Sequence, residues 1–179
     1  MVAHLARCEW VLLSYRIPRE PSTPRIAVWR KLKRLGVAQI GDGLAALPAD
    51  ARTLEQFEWL AEEIDEAGGS STLWRAELTS NALERRVVGD MAAARAEEYV
   101  DIAARARRIG QASMAATDSM RMLRSLRSLR RELRQVQRRD FFPPSERKSA
   151  RTEVIALARA LLDQRQATDA QAPELVVKS

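Results

Sequence analysis

The chain has 179 residues, 46% of them hydrophobic and 30% charged, enough for one ordinary domain with an attached subdomain or for two small ones. Its formal charge is +6 and its pI about 10.2, which admits a polyanionic partner without requiring one. A single cysteine, Cys8, excludes an internal disulfide and fits a reducing cytoplasm, a single histidine, His4, leaves no Cys/His metal cluster, and the early apolar run "WVLL" is too short and too closely flanked by charge for a signal peptide or a membrane span.

In chain order, "CEWVLLSYRI" is aromatic, branched and aliphatic and is closed by Pro18 and Pro21, which predicts a buried, central strand. "STPRIAVWRKLKRLG" predicts a helix capped by Ser22 or Thr23, with Pro24 in its first turn and Gly36 at its end. Ile26, Trp29, Leu32 and Lys33 then share its inner face, leaving Arg30 and Arg34 outward. "VAQIGDGLAALP" reads as two short strands around Gly41-Asp42-Gly43, because glycine supplies the positive φ of a tight hairpin. A second helix carries Leu54, Phe57, Leu60, Ala61 and Ile64 and stops at Gly68-Gly69. "SSTLWRAELT" is the fourth strand.

Strand, helix, strand, strand, helix, strand over residues 7–79 is the order of a ferredoxin-like split βαβ sandwich, so the fold class is α+β with a four-stranded antiparallel sheet. Trp10, Trp29, Trp59 and Trp74 fall one to each of four elements, as expected of core residues. Residues 80–165 read as a helical subdomain of three helices, at about Ala82 to Arg108, Ala112 to Arg138 and Ser145 to Leu162, and residues 166–179 as a flexible tail without clear periodicity.

Charge is concentrated in this second part. Between Ser119 and Arg151 stand 11 Lys/Arg and 3 acids, a net of +8 within a total of +6, which leaves −2 for the rest of the chain. In the middle helix Met122, Leu126, Leu129, Leu133 and Val136 recur at spacings of 4, 3, 4 and 3, a heptad seam. Arg121, Arg124, Arg127, Arg130, Arg131, Arg134, Arg138 and Arg139 spread over the remaining surface rather than forming a narrow stripe, with Glu132 the one acid between Arg121 and Arg139. A smaller basic run, Arg25, Arg30, Lys31, Lys33 and Arg34, meets no acid between Pro21 and Gly41.

"WVLLSYRIP", "STPRIAVWRKLKRLGVAQIGDGLAALP" and "RRDFFPPSERKSARTEV" together resemble the N-terminal domain of the chromate-resistance regulator ChrB family, from about Trp10 to Leu162. The most specific mark is Asp140-Phe141-Phe142-Pro143. The resemblance implies a DNA-associated regulator of chromate-efflux genes, in which a C-terminal domain completes the usual protein. This chain ends before that domain, so the expectation is a stand-alone N-terminal module that binds DNA or a partner, with a homodimer or a separately encoded partner carrying the C-terminal domain as the candidate partners. The first half also looks like the ferredoxin-like module of phenylacetic-acid-type repressors and of the small CRISPR adaptation nuclease. Those nuclease-like relatives carry an aspartate at the end of the first strand, where a metal is held by hard oxygen ligands; here that stretch carries Arg16, which repels Mg²⁺.

The basic helix therefore has two readings. Either its arginines neutralise phosphates and release counterions, or they form a solvated face paired with neighbouring glutamates. Pairing is short of partners, with 11 cations against 3 local acids. Arg30, Lys31 and Arg34 offer a second set of phosphate contacts. Asp140 to Pro144 is read as a corner, in which prolines stop the helix and two phenyl rings anchor the turn; an oxyanion pocket of Arg138, Arg139 and Lys148 is the weaker alternative. Glu62-Glu63 and Glu97-Glu98 diverge by about 100° on their helices and cannot act as carboxylate pairs. With no nucleophile–base pair and no phosphate-cradling glycine loop, the expectation is a non-enzymatic, cofactor-free DNA-binding or regulatory module. Its alternatives are an interaction protein that dimerises through the helical subdomain and an oxyanion sensor.

Overall fold

The structure, a computed structural model, describes residues 8–113 and 119–171. His4, residues 114–118 of the expected middle helix and residues 172–179 of the expected tail lie outside the described residues. The elements are β1 (Trp10–Arg16), α1 (Ser22–Leu35), β2 (Ala38–Gly41), β3 (Leu44–Pro48), α2 (Ala51–Glu66), β4 (Ser70–Ala76), α3 (Asn81–Ser113), α4 (Ser119–Arg138) and α5 (Glu146–Gln171). They fall into two compact units, residues 1–93 with 139–142, and residues 94–138 with 143–179.

In the first unit the sheet order is β2-β3-β1-β4 with antiparallel neighbours throughout, the ferredoxin-like order expected from the element pattern. Leu13 stands opposite Ala45 on one side and Leu73 on the other, and Val11 opposite Leu47, so the pleat gathers these side chains on one face. Ser71 shares that face and donates to the Ala61 carbonyl of α2 (3.4 Å), which identifies it as the face under the helix. Val28 and Leu32 of α1 and Phe57, Leu60 and Ile64 of α2 complete the buried cluster. Asp50 caps α2 by accepting from the Thr53 amide (2.7 Å) while the Thr53 hydroxyl receives the Asp50 amide (2.9 Å).

Three local expectations are corrected here. The residue ahead of α1 is Pro21 and no side chain caps the helix, although Gly36 ends it with φ 72° as predicted. The inner face of α1 is Val28 and Leu32, while Ile26 and Trp29 are 46% and 55% exposed. Of the four tryptophans only Trp10 is buried; Trp29, Trp59 and Trp74 are each more than half exposed, because an outward helix face or an edge strand leaves an indole without a second layer to pack on.

The hairpin glycine is a strict requirement. Gly43 has φ +71°, and a Cβ there would lie 2.3 Å from the Tyr15 carbonyl oxygen. Its own carbonyl accepts from the Tyr15 amide (2.7 Å). Gly43→Ala is expected to destabilise the protein by about 2 kcal/mol or more, read as a lowered urea midpoint at constant m-value.

The second unit is helical. Tyr99, Ile102, Ala103 and Ala106 of α3, the five seam residues of α4, and Ala150, Val154, Leu157 and Leu161 of α5 form a separate buried cluster. Arg107 of α3 pairs with Glu153 of α5 (2.7 Å). The expected break near residue 110 is absent: α3 continues through Gly110 to Ser113, since one glycine costs a helix only about 1 kcal/mol. The unit boundary accordingly falls after Ala93, inside α3, and not at residue 80, because Val87, Val88 and Met91 join the first core. The tail is also shorter than expected. Residues 166–171, all helix-tolerant and ahead of Pro173, continue α5. Among the described residues no helix is long and apolar enough to cross a membrane.

Candidate nucleic-acid interface

Helix α4 is organised by what it buries. Met122, Leu126, Leu129, Leu133 and Val136 are all buried, as the heptad spacing requires, and they are covered from within the chain by α3 and α5. The seam is thus occupied by contacts within the chain.

With the seam fixed, a helical advance of about 100° per residue orients every other side chain of α4. Arg124, Arg127, Arg131, Arg134 and Arg138 fall within an arc of about 80° directly opposite the seam, in two interleaved heptad series. They extend over about 21 Å of helix axis at 1.5 Å per residue. Arg121 and Arg130 border this stripe on its two sides. The expectation of arginines spread around the remaining surface rather than in one narrow stripe is refined: all seven arginines of α4 are exposed and span about half of the circumference, and five of them share one arc.

Four of the five stripe arginines keep their charge. Glu132, the one acid of α4, lies beside the seam, where it is bonded by Arg105 of α3 and accepts from the Ser128 hydroxyl (3.1 Å). Arg105 also pairs with Asp101 (3.1 Å). Arg124, Arg127, Arg130, Arg131 and Arg134 make no ion pair among the described residues. Seven arginines against Glu132 leave α4 with a net +6.

The smaller basic run of α1 is put to mixed use. Lys31 is half-buried and pairs with Glu63 of α2, and the Lys33 ammonium sits 4.5 Å from the centre of the Trp29 ring. Arg25, Arg30 and Arg34 are exposed. Arg16 ends β1, exposed and opposite Ser70 of β4.

Asp140-Phe141-Phe142 belongs to the first unit although it joins two helices of the second, and Pro143 begins the return. The Phe142 ring stands 6.0 Å from that of Trp10, and the Arg52 guanidinium lies 5.6 Å from the Phe141 ring. Both phenyl groups are half-buried in the first core, so the motif anchors a corner as its composition suggested. Of the residues considered for an oxyanion pocket, Arg139 is half-buried in the first unit, while Arg138 and Lys148 are exposed in the second. Sequence reading missed two other features of this unit. The Cys8 amide donates to Glu84 (2.7 Å), and burial, then the Glu84 carboxylate, pushes the Cys8 thiol above its ordinary range. No local signal marked Glu84 as a partner 76 residues away.

Comparison with known proteins bears on the whole arrangement. The family described as Protein ChrB, N-terminal, matches residues 25–168, which include α4, the aromatic corner and all but the first strand of the sheet. Protein ChrB of Cupriavidus metallidurans is 27% identical over 149 residues, covering 81% of this chain and 43% of the relative. The chain thus spans less than half the length of that relative.

Proposed function

The chain belongs to the ChrB N-terminal family, and on that footing we propose that it is a regulatory module of a chromate-resistance system that binds DNA through arginine–phosphate contacts. The observation that carries this reading is the five-arginine stripe of α4, set opposite its buried seam and clear of the helix's one acid. Packing accounts for the seam and leaves Arg124, Arg127, Arg131 and Arg134 without an ion pair among the described residues. Exposed arginines lying over about 21 Å suit a phosphate backbone, whose strands carry one charge per about 3.4 Å of axis. Contacts of this kind supply affinity and position; sequence choice requires base contacts in addition.

The test is fluorescence anisotropy with a duplex across a salt series. Each phosphate neutralised contributes about −0.9 to the slope of log affinity against log salt, so five contacts give a slope near −4.5. Reversing Arg124, Arg127 and Arg131 to Glu is expected to reduce that slope by about 3 and the low-salt affinity at least tenfold. Exposed substitutions of this sort leave stability within about 0.5 kcal/mol each, so the melting temperature should hold. No binding to any duplex at low salt would sink the proposal.

A further inference from the structure

The outer side of the α1/α2 layer carries a charge pattern that folding of the first unit does not use. On α1, burial of Val28 and Leu32 fixes the orientation, and Ile26, Arg30 and Arg34, four residues apart, run along the opposite side. On α2, buried Thr53, Phe57, Leu60 and Ile64 leave Glu55, Trp59, Glu62 and Glu66 outward at spacings of 4, 3 and 4. All seven are exposed, Trp59 by 59% and Ile26 by 46%. The Lys31–Glu63 pair ties the helices side by side and marks a common level. Arg30 and Glu62 are one residue from that pair and Arg34 and Glu66 three, so all four lie within about 5 Å of it along the helix axes. A basic pair and an acidic pair therefore stand next to each other, and none of the four makes an ion pair among the described residues.

We infer that this helix layer is the surface through which two copies of the chain associate. A two-fold axis along the groove between α1 and α2 lays α1 of each copy over α2 of the other. Arg30 and Arg34 then meet Glu62 and Glu66 of the second copy, and the same contact is made twice, as an isologous interface requires. Trp59 and Ile26, large apolar groups held outward among the charges, become the buried anchors. A nucleic acid fits this face poorly, because Glu55, Glu62 and Glu66 stand beside the arginines and repel phosphate. A partner segment of one sign satisfies one helix and repels the other, whereas a second copy satisfies both. The inference concerns the first unit and is independent of DNA binding at α4.

Sedimentation velocity and light scattering on the full chain at low salt test it. The wild-type protein is expected at twice the chain mass, falling toward one chain mass as salt is raised. Arg30→Glu with Arg34→Glu, and separately Glu62→Arg with Glu66→Arg, each place like charges across both contacts and are expected to run as monomers with unchanged circular dichroism. Mixed in equal amounts, the two variants complement each other at both contacts and should regain the dimer mass. Trp59→Ala is expected to weaken the dimer at least tenfold. A wild-type monomer at high concentration and low salt, a double variant that stays dimeric, a mixture that stays monomeric, or an unaltered dimer constant for Trp59→Ala would each overturn the inference.

Discussion

Leu129→Ala is expected to destabilise the helical unit by about 2–5 kcal/mol, the range for removing a fully buried leucine and leaving part of its cavity behind. Leu129 is 1% exposed and sits at the centre of the α4 seam, with Leu126 and Leu133 about one turn to either side. The rest of α4 is arginine, serine and glutamine with Glu132, Leu123 and Met120, so little beyond the seam holds this helix. Urea denaturation measures the loss. Because the seam belongs to the second buried cluster and the sheet to the first, amide exchange should quicken in α3 to α5 while the amides of β1, β3 and β4 stay protected. A cost below about 1 kcal/mol would mean that the cavity closes or that α4 is held by something other than its leucines. An exposed neighbour serves as control, since Arg131→Ala should change stability by no more than about 0.5 kcal/mol.

Phe142→Ala has the next largest expected effect, about 2 kcal/mol, and it falls on the other unit. A fully buried phenylalanine is worth about 3–5 kcal/mol against alanine; the Phe142 ring is half-buried and takes a discount accordingly. Its loss uncovers Trp10, 2% exposed in the intact protein. Trp29, Trp59 and Trp74 already face solvent, so Trp10 supplies the buried part of the emission and a red shift should accompany the lost stability. An unshifted spectrum at full stability would remove the corner from the first core and reopen a ligand role for the motif.

The two effects mark which parts of the molecule could be read from residues alone. The seam was legible because its spacing admits one face: shifting it by a residue puts arginines inside. The sheet order followed from hairpin glycines and from strands long enough to be recognised. On α1 the pattern was ambiguous, because apolar residues at 26, 28, 29, 32 and 35 permit two faces, one built on Ile26 and Trp29 and one on Val28, Leu32 and Leu35. The sheet beneath selected the second, and the larger side chains went outward. The arginine stripe was within reach of the same reasoning, since a fixed seam orients every other side chain of the helix; it is obscured when Arg121, Arg130 and Arg139 are counted together with the five that share one side. The domain boundary was misplaced because α3 contains no break at the point where its partners change.

The membership of residues 139–142 in the first unit also governs the order in which that unit can be completed. The ring that covers Trp10, Phe142, is synthesised 132 residues after it, following α3 and α4. Elements made first ordinarily close first during vectorial synthesis. Here the core of the sheet must wait, one flank uncovered, until α3 and α4 have been made. An early stop ahead of Phe142 would then injure both units, since it removes α5 together with the ring over Trp10.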